Sequence, residues 1–239
     1  MITGEISFIA YDTVCRVQAS ADDEVSVEKA LQEIRQSALE VESTLSMYDK
    51  NSELSRMNCS YVVDVPYPIS SLLLASLPYN LTIAKMTEGA FDPTIGPLVR
   101  LWDFLNDEPK VPDYSTIEQV LKRVGYQHIH LDQKRKTITF SQSNMILDPG
   151  ASGKGFALGL ALDLLRKNKI SHGVIDYGGN LYVHGGKIQT GAPLITAIRD
   201  PQETNSILGT VPLVDKAIAT SSWYEHYFTI EGKVYHHIL

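Results

Sequence analysis

The stretch NMILDPGASGKGFALGLALDLLRKNKISHGVIDYGGNLYVHGG, residues 144–186, decides how this chain is interpreted. It predicts a strand, a glycine-rich turn, a helix, a second strand and a second glycine turn in succession. Asp148 and Lys154 lie in the first turn, and the predicted helix follows directly. Such a turn combines free backbone N–H groups, the positive end of a helix dipole and a cation, which suits a phosphate-bearing ligand.

The glycine spacing of DPGASGKGFA, residues 148–157, matches neither of the two best-known phosphate loops. A Walker A loop requires glycine where Asp148 stands and Ser or Thr where Gly155 stands, and the pattern G-x-G-x-x-G is absent. Spacing alone leaves a phosphate site and a plain tight turn open. Asp148 and Lys154 add chemistry, because a carboxylate can hold a hydroxyl, an adenine amine or a metal, and a lysine can neutralise pyrophosphate.

Composition narrows the class of protein. The 239 residues are 44% hydrophobic and 21% charged, which is enough for a buried core in one large domain or two small ones. A net charge of −7 and a pI near 5.5 disfavour nucleic-acid binding, for which a basic surface is usual. Cys15 and Cys59 are too few for a disulfide framework and fit a reducing compartment.

The beginning of the chain, MITGEISFIAYDT, lacks the basic segment and apolar run of a signal peptide. No uninterrupted apolar run approaches the ~18 residues that a membrane-spanning helix needs. We therefore expect a cytoplasmic protein with no membrane span.

Hydrophobic periodicity predicts helices and strands along the whole chain. Helices are expected over residues 26–47, 70–87, 116–124 and 153–167. Strands are expected over residues 6–19, 128–131, 137–140, 145–147, 174–177, 195–198, 208–213, 227–230 and 234–239, with a hairpin turn at 231–232. Residues 48–58 and 87–104 are expected to be loops, because polar residues, glycine and proline are frequent there.

Three local signals qualify this pattern. Asp12 and Thr13 place polar residues inside the first predicted strand and indicate either a bend or a site. Pro78 should kink or split its helix, because proline removes a backbone donor. Ser115 and Glu118 match a capping box at the start of the third predicted helix.

Acidic and hydroxyl side chains cluster in the loop around Asp92. Glu88 and Thr94 surround it, together with glycine and proline. The cluster could bind a ligand, but a solvated loop held by Asx-type hydrogen bonds is the simpler explanation.

Aromatic and imidazole side chains are further candidates, each with a plainer structural explanation. Tyr48, Trp102 and Tyr177 could stack on a planar ligand or could pack against neighbouring side chains. His236 and His237 end the chain inside an apolar strand. A histidine there is a candidate base because imidazole accepts a proton near neutral pH, and a surface histidine beside a core histidine is the alternative.

The motifs taken together resemble the ApbE family of FAD:protein FMN transferases. In family order the chain carries YDT, MYDKNSELSRMN, EGAFDPTIGPLVRLWDF, LDPGASGKGFALGLALDLL, GVIDYGGNLYVHGG, IRDP, AIATSS and a terminal HHIL. The resemblance covers nearly the whole chain. It implies one domain over residues 1–239 with an α+β (mixed α/β), T-fold-like architecture of antiparallel-rich sheets and packed helices.

The resemblance implies an enzyme that uses FAD and Mg²⁺. It would transfer the FMN half of FAD to a Ser or Thr hydroxyl of a target flavoprotein and leave AMP. Some members hydrolyse FAD to FMN and AMP, and a flavin-binding protein without catalysis is a third possibility. The implied partners are FAD and the target flavoprotein, with no nucleic acid.

The resemblance also assigns roles to individual residues. The FAD-lining residues that it implies are Tyr11 (where many members have Met), Tyr48, Ala90, Phe91, Asp92, Asp148, Lys154 and Ile238. His237 would be the catalytic base, and the backbone oxygen of Ala151 would be a metal ligand. Thr220 falls in a family T-S-G motif that is TSS in this chain.

Three departures from the family pattern bear on these roles. Ser222 replaces a usual glycine, and Pro78 interrupts a helix that is normally regular. The chain ends at Leu239, before a D-P-x-T-G motif whose Asp and Thr would complete the metal site. We therefore expect a fragment of a longer chain, the alternative being a form without a complete metal site.

Overall fold

The computed structural model describes residues 1–106, 108–203, 206–222 and 226–239. The helices are α1 (Glu24–Leu45), α2 (Glu53–Ser60), α3 (Ser71–Met86), α4 (Gly96–Trp102), α5 (Tyr114–Leu121) and α6 (Gly153–Lys167). The strands are β1 (Ile2–Ala10), β2 (Thr13–Ala21), β3 (Tyr67–Pro68), β4 (Ile129–Asp132), β5 (Thr137–Phe140), β6 (His172–Tyr177), β7 (Asn180–His184), β8 (Leu194–Arg199), β9 (Ile207–Leu213), β10 (Lys216–Ile218), β11 (Tyr227–Ile230) and β12 (Lys233–His236).

The chain divides into two compact units. The first unit contains residues 1–42 and 154–221, and the second contains residues 43–153 and 222–239. The single ApbE-type domain over residues 1–239 stays a prediction.

The first unit is built on a five-stranded sheet in the order β1-β2-β6-β7-β10. Side chains alternate between the two faces of a strand. Cys15 pairs with Tyr177 and Val17 with Ile175 across β2 and β6, and all four side chains are fully buried. Arg16, between them on β2, is exposed on the opposite face. One face of the sheet is therefore the apolar core of this unit.

Strands β1 and β2 join in a two-residue turn at Tyr11 and Asp12. Their φ angles are 56° and 54°, as in the type I′ turns that suit the twist of a hairpin. The prediction of one strand over residues 6–19 is therefore wrong, and the polar residues mark a bend. Neither turn residue is glycine, so only the two polar side chains indicated that the backbone reverses there.

Helices α1 and α6 pack on this sheet where glycine permits a close approach. A Cβ atom on Gly4 would lie 2.7 Å from Val27 of α1, and one on Gly173 would lie 2.9 Å from Leu165 of α6. Larger residues at the two glycines would push the helices away from the strands. The periodicity that predicted both helices is confirmed.

The second unit contains a three-stranded antiparallel sheet in the order β3-β5-β4. Its core combines Ile138 and Phe140 of β5 with Leu54 of α2 and Leu73 of α3, all almost fully buried. The strands predicted over residues 128–131 and 137–140 are confirmed as β4 and β5, which pair as a hairpin.

Two segments that were predicted to be loops contain helices. Residues 48–58 include the start of α2, whose N-cap residue Ser52 accepts a hydrogen bond from the backbone N–H of Ser55 at 2.9 Å. Residues 87–104 include α4, where Pro97 lies in the first turn and its missing N–H costs no hydrogen bond. The helices have only 8 and 7 residues, which is too short for periodicity to reveal.

Helices α3 and α5 differ in detail from their predictions. Helix α3 runs through Pro78 from its N-cap Ser70, so the predicted split does not occur. Helix α5 is capped by Asp113, whose Oδ1 accepts a hydrogen bond from the N–H of Thr116 at 2.8 Å. The hydroxyl of Ser115 donates to the same carboxylate at 2.6 Å, so the capping box predicted at Ser115 is wrong by two residues.

The remaining strands form antiparallel hairpins. β11 pairs with β12 in the second unit, and the predicted turn between them is confirmed by positive φ angles at Glu231 and Gly232. β8 pairs with β9 in the first unit, and both strands were predicted. All pairings between the strands described here are antiparallel, and the predicted α+β class is confirmed. Among the described residues, no helix has the length and apolarity needed to cross a membrane.

Candidate functional site

The glycine-rich turn at residues 147–153 is tied to other parts of the second unit. The side-chain amide of Asn58 donates to the carbonyl of Leu147 at 2.9 Å and accepts from its N–H at 3.0 Å, as a neighbouring strand would. The N–H of Asp148 donates to the carbonyl of Pro93 at 2.8 Å. The start of the turn is therefore held by α2 on one side and by the loop before α4 on the other.

Asp148 lies partly buried at the start of this turn. Burial raises the pKa of its carboxyl group, and the N–H of Gly150, which donates to Oδ1 at 2.8 Å, and the charge of Arg100 partly oppose that rise. A carboxyl group withdrawn from water gains strong hydrogen bonds when a ligand offers a donor. This position fits the predicted contact with a hydroxyl or an amine of a nucleotide.

The carboxylate of Asp92 shapes its own loop. Its Oδ1 accepts hydrogen bonds from the N–H and the hydroxyl of Thr94 at 2.8 and 2.7 Å. Its Oδ2 accepts from the N–H of Tyr126 at 2.9 Å, and the hydroxyl of Thr94 accepts from the N–H of Gly125 at 2.7 Å. The Asx-type alternative is therefore present, and the contact of Asp92 with FAD stays a prediction.

Three other predicted FAD-lining residues lie on loops of the second unit. Tyr48 is 63% exposed and Ala90 is exposed, whereas Phe91 is partly buried. The N–H of Phe91 donates to the hydroxyl of Thr87 at 3.1 Å, which fixes the backbone of the loop. Accessible aromatic surface on fixed loops suits stacking on a planar ring, and these contacts stay predictions.

His237 follows β12 and is oriented by His226, the residue that faces it at the open end of the hairpin. Its backbone N–H and its ring Nδ1 both lie 3.1 Å from the carbonyl oxygen of His226. A carbonyl oxygen can only accept, so Nδ1 carries the proton and Nε2 of the neutral ring is left as an acceptor. The adjacent Ile238 is 44% exposed. This geometry suits the predicted role of His237 as a base.

Four rings, which we call the aromatic cluster, hold this hairpin against the end of α4: Trp102, Phe104, Phe228 and Tyr235. The ring centroid of Trp102 lies 5.6 Å from the ring centroid of Phe104 and 5.6 Å from that of Tyr235. The ring centroids of Phe228 and Tyr235 are 5.5 Å apart. Such aromatic pairs add stability beyond the area that they bury. Trp102 therefore packs against neighbouring side chains, which was the alternative to stacking on a ligand.

In the first unit, Tyr11 is fixed by contacts within the protein. Its hydroxyl donates to the carbonyl of Ala38 at 2.9 Å, and its N–H donates to Oε1 of Glu42 at 2.6 Å. Its ring lies 5.7 Å from that of Tyr177, and burial raises the pKa of its phenol. Tyr177 is fully buried and has a packing role. The contact of Tyr11 with FAD stays a prediction.

Lys154 lies in the first turn of α6. Burial raises the pKa of the nearby Cys15 thiol to about 11, and the charge of Lys154 is one of the groups that oppose the rise. Within the described part of its own unit, no carboxylate lies within 4.0 Å of the Lys154 ammonium. A partly buried cation without such a partner suits an anionic ligand. Thr220 is exposed beyond β10.

The sequence model of the ApbE family matches residues 11–239. This chain belongs to the ApbE family.

Relatives of this ApbE chain carry the name FAD:protein FMN transferase. The protein from Treponema pallidum (strain Nichols) is 31% identical over 241 residues, which cover 95% of this chain and 66% of the relative. The Haemophilus influenzae protein is 31% identical over 217 residues, which cover 88% of this chain and 62% of the relative. This chain therefore spans slightly less than two thirds of the length of these curated relatives.

Solved structures are similar as well. The ApbE protein of Thermotoga maritima superposes with a TM-score of 0.88 at 26% identity, covering 100% of this chain and 76% of that one. The flavin transferase ApbE from Vibrio cholerae gives 0.81 at 26% identity, with coverages of 93% and 72%. The apo form of the Pseudomonas stutzeri flavinyl transferase ApbE, 22% identical with a TM-score of 0.85 and coverages of 99% and 73%, shares the fold.

The described residues do not form the complete metal site that the ApbE resemblance implies. Mg²⁺ requires near-octahedral oxygen coordination, and Ala151 offers one backbone carbonyl. Within the described residues, no group of three or more His, Cys, Asp and Glu side chains could hold a metal ion. The residues present therefore do not fit a Mg²⁺ ion without further oxygen ligands.

Sequence reasoning missed the residues that hold the ApbE loops in place. Asn58 and Asn80 bind the glycine-rich turn through partners 89 and 72 residues away, Leu147 and Ser152. Glu42 holds the turn at Tyr11. Asn58 ends one of the recognised motifs, so that motif could have singled it out, whereas Asn80 lies in a helix without any distinguishing pattern.

Proposed function

We propose that this ApbE chain transfers the FMN half of FAD to a Ser or Thr hydroxyl of a target flavoprotein and releases AMP. The observation that carries the proposal is the orientation of His237, whose Nδ1 is held by the carbonyl of His226 while Nε2 is left to accept a proton. The names of the relatives, FAD:protein FMN transferase, support the same reaction.

In the proposed reaction, the acceptor hydroxyl attacks the phosphorus atom of the FMN half. A new P–O bond forms to the Ser or Thr oxygen, and the P–O bond of the pyrophosphate bridge breaks. The electron pair of that bond leaves with AMP, and the hydroxyl proton passes to Nε2 of His237. A positioned base typically accelerates such a step by about 10²–10⁴-fold.

Phosphoryl transfer depends mainly on alignment and on neutralisation of charge. In the first unit, the Lys154 ammonium would neutralise charge on the pyrophosphate. In the second unit, the amides of the glycine-rich turn would donate to phosphate oxygens, and Asp148 would accept from a hydroxyl or an amine of FAD. Tyr48 and Phe91 offer aromatic surface for a planar ring.

We expect the reaction to depend on Mg²⁺ only when oxygen ligands in addition to the backbone carbonyl of Ala151 coordinate the ion. The ion, when bound, would stabilise negative charge on the phosphates. The roles of His237, Lys154 and Asp148 do not depend on its position.

The test incubates the chain with FAD and a candidate flavoprotein, with and without Mg²⁺. The expected result is covalent flavin fluorescence on the target after denaturing electrophoresis, with one AMP released per flavin attached. FMN and AMP released without a target would instead indicate a pyrophosphatase. FAD binding without AMP under either condition would contradict both enzymatic activities.

A further inference from the structure

Asn80 is a polar side chain in apolar surroundings. It lies on α3, is 1% exposed, and faces a space lined by Leu54, Leu77, Pro93 and Pro149 among others. That space has no room for a water molecule. Burying an amide is costly unless its donor and acceptor groups are paired, so protein atoms must supply its partners.

The two ends of the Asn80 amide have different partners, and these determine its orientation. Nδ2 donates to the backbone carbonyl of Ser76 at 2.8 Å, within α3. A carbonyl can only accept, so the amide oxygen must point the other way. It lies 2.5 Å from the hydroxyl of Ser152, which donates to it and lies farther, at 3.2 Å, from its other acceptor, the carbonyl oxygen of Pro149. The bond therefore has one possible direction.

Ser152 lies near the end of the glycine-rich turn, between Ala151 and Gly153. Its N–H and that of Gly153 both donate to the carbonyl of Pro149, at 2.9 and 2.7 Å. The hydrogen bond from Ser152 to Asn80 connects the glycine-rich turn to the middle of α3. The backbone hydrogen bonds of the turn do not make this connection.

We propose that Asn80 is a positioning residue, which through Ser152 fixes residues 150–153 in the conformation that receives the FAD pyrophosphate. The inference rests on the proposed function for its ligand, but the fixing of the turn is independent of FAD. Because the turn is already ordered, nucleotide binding does not incur the entropic cost of ordering it, and the affinity is higher.

The first test measures amide hydrogen exchange of residues 150–153 without nucleotide. The Asn80→Leu and Ser152→Ala variants should each exchange at least about tenfold faster than the parent in this segment. Ser152→Thr keeps the hydroxyl and should restore slow exchange. Ser76→Ala is the matched control, because it removes a buried hydroxyl of α3 but keeps the carbonyl that Asn80 uses.

Unchanged exchange in Ser152→Ala would overturn the proposal, as would equal acceleration by Ser76→Ala. If Asn80→Leu does not fold, Ser152→Ala and Ser152→Thr decide the question alone. The outcome does not depend on the identity of the ligand.

The second test measures FAD binding by the same variants. Ser152→Ala should raise the dissociation constant and the KM for FAD about tenfold, with a smaller effect on kcat. Ser152→Thr should bind like the parent. If the parent itself does not bind FAD, the proposed function fails, while the exchange data still decide whether Asn80 fixes the turn. Normal FAD affinity in Ser152→Ala would overturn the positioning role.

Discussion

His237 donates two hydrogen bonds to one atom, the carbonyl oxygen of His226, from its backbone N–H and from its ring Nδ1, each at 3.1 Å. The first bond closes the β11–β12 hairpin, and the second selects the tautomer of the imidazole. A backbone oxygen therefore does what a carboxylate does in many catalytic dyads, because it keeps the proton on Nδ1. The aromatic cluster packs the hairpin that carries this oxygen against the end of α4.

Replacing His237 with alanine should abolish transfer and keep FAD binding. The variant loses the proton acceptor, so we expect the rate of target flavinylation to fall by at least about 10²-fold. The FAD dissociation constant should change by less than about twofold, because the ring is assigned to the acceptor hydroxyl. His130→Ala, an exposed histidine on β4, is the control. Undiminished transfer in His237→Ala would remove this residue from the mechanism.

Replacing Lys154 with methionine should weaken FAD binding by about tenfold, which corresponds to ~1.4 kcal/mol. The methionine side chain preserves most of the packing of the lysine stem, so the loss reports the charge. The affinity of the parent should also fall with added salt more steeply than that of the variant. Lys29→Met removes an exposed charge from α1 and should have no effect. Equal FAD affinities in Lys154→Met and the parent would exclude the pyrophosphate contact.

Asp148→Asn should stabilise the fold and weaken FAD binding. Because burial raises the pKa of this carboxyl, the folded state keeps its proton to a higher pH than the unfolded chain. The free energy of unfolding therefore falls as pH rises from the pKa of this carboxyl in the unfolded chain to its higher pKa in the folded protein. The side chain at this position in the variant is neutral, so the variant's free energy of unfolding does not fall in this pH range. We expect a gain of about 1 kcal/mol at pH 7 that disappears in acid, measured by urea unfolding.

The exposed Asp163 provides the control for this prediction. Asp163→Asn should not reproduce the pH-dependent gain. A stability difference between Asp148→Asn and the parent that stays constant from acid to neutral pH would contradict the assignment to the Asp148 carboxyl.

Asn58→Ala should destabilise the second unit. The substitution leaves the N–H and the carbonyl of the buried Leu147 without their partner, which costs about 1–3 kcal/mol for such a group. Denaturant unfolding measures this loss, and FAD affinity should fall with it because the turn begins at Leu147. Asn51→Ala, at an exposed position, should be neutral. A neutral Asn58→Ala would show that water replaces the amide.

The two cysteines should differ sharply in reactivity. Cys15 is fully buried and burial raises its pKa to about 11, whereas Cys59 is exposed. The thiolate is the reactive form, so Ellman's reagent should titrate one thiol in the native protein and two in denaturant. Cys59→Ser should abolish the native reaction. Two fast thiols in the native protein would contradict the burial of Cys15.

The parts of the fold that the sequence predicted are those with a repeating local signal. Long helices such as α1 and α6 bury a regular face, and strand β6 alternates between fully and partly buried residues. The bend at Tyr11 and Asp12 was left open because both residues adopt a glycine-like φ without being glycine. Helices α2 and α4 were missed because one or two turns contain too few residues to show a period.

The residues of the candidate site also differ in whether the local sequence could reveal them. Asp148 and Lys154 could be proposed from the sequence because charged residues lie there beside clustered glycines, and their contacts with FAD stay predictions. Asn58 and Asn80 were missed because each acts on a partner far along the chain, and a single buried amide has no local pattern. Only the tertiary fold brings such pairs together.

The aromatic cluster gives the protein a built-in optical reporter. Trp102 is one of two tryptophans in the chain, and its indole packs directly on Tyr235, two residues before His237. With Trp223→Phe, the emission spectrum comes from Trp102 alone. Undocking of the hairpin would wet the indole and shift its emission to longer wavelength, so the position of the proposed base can be followed in solution without an added label.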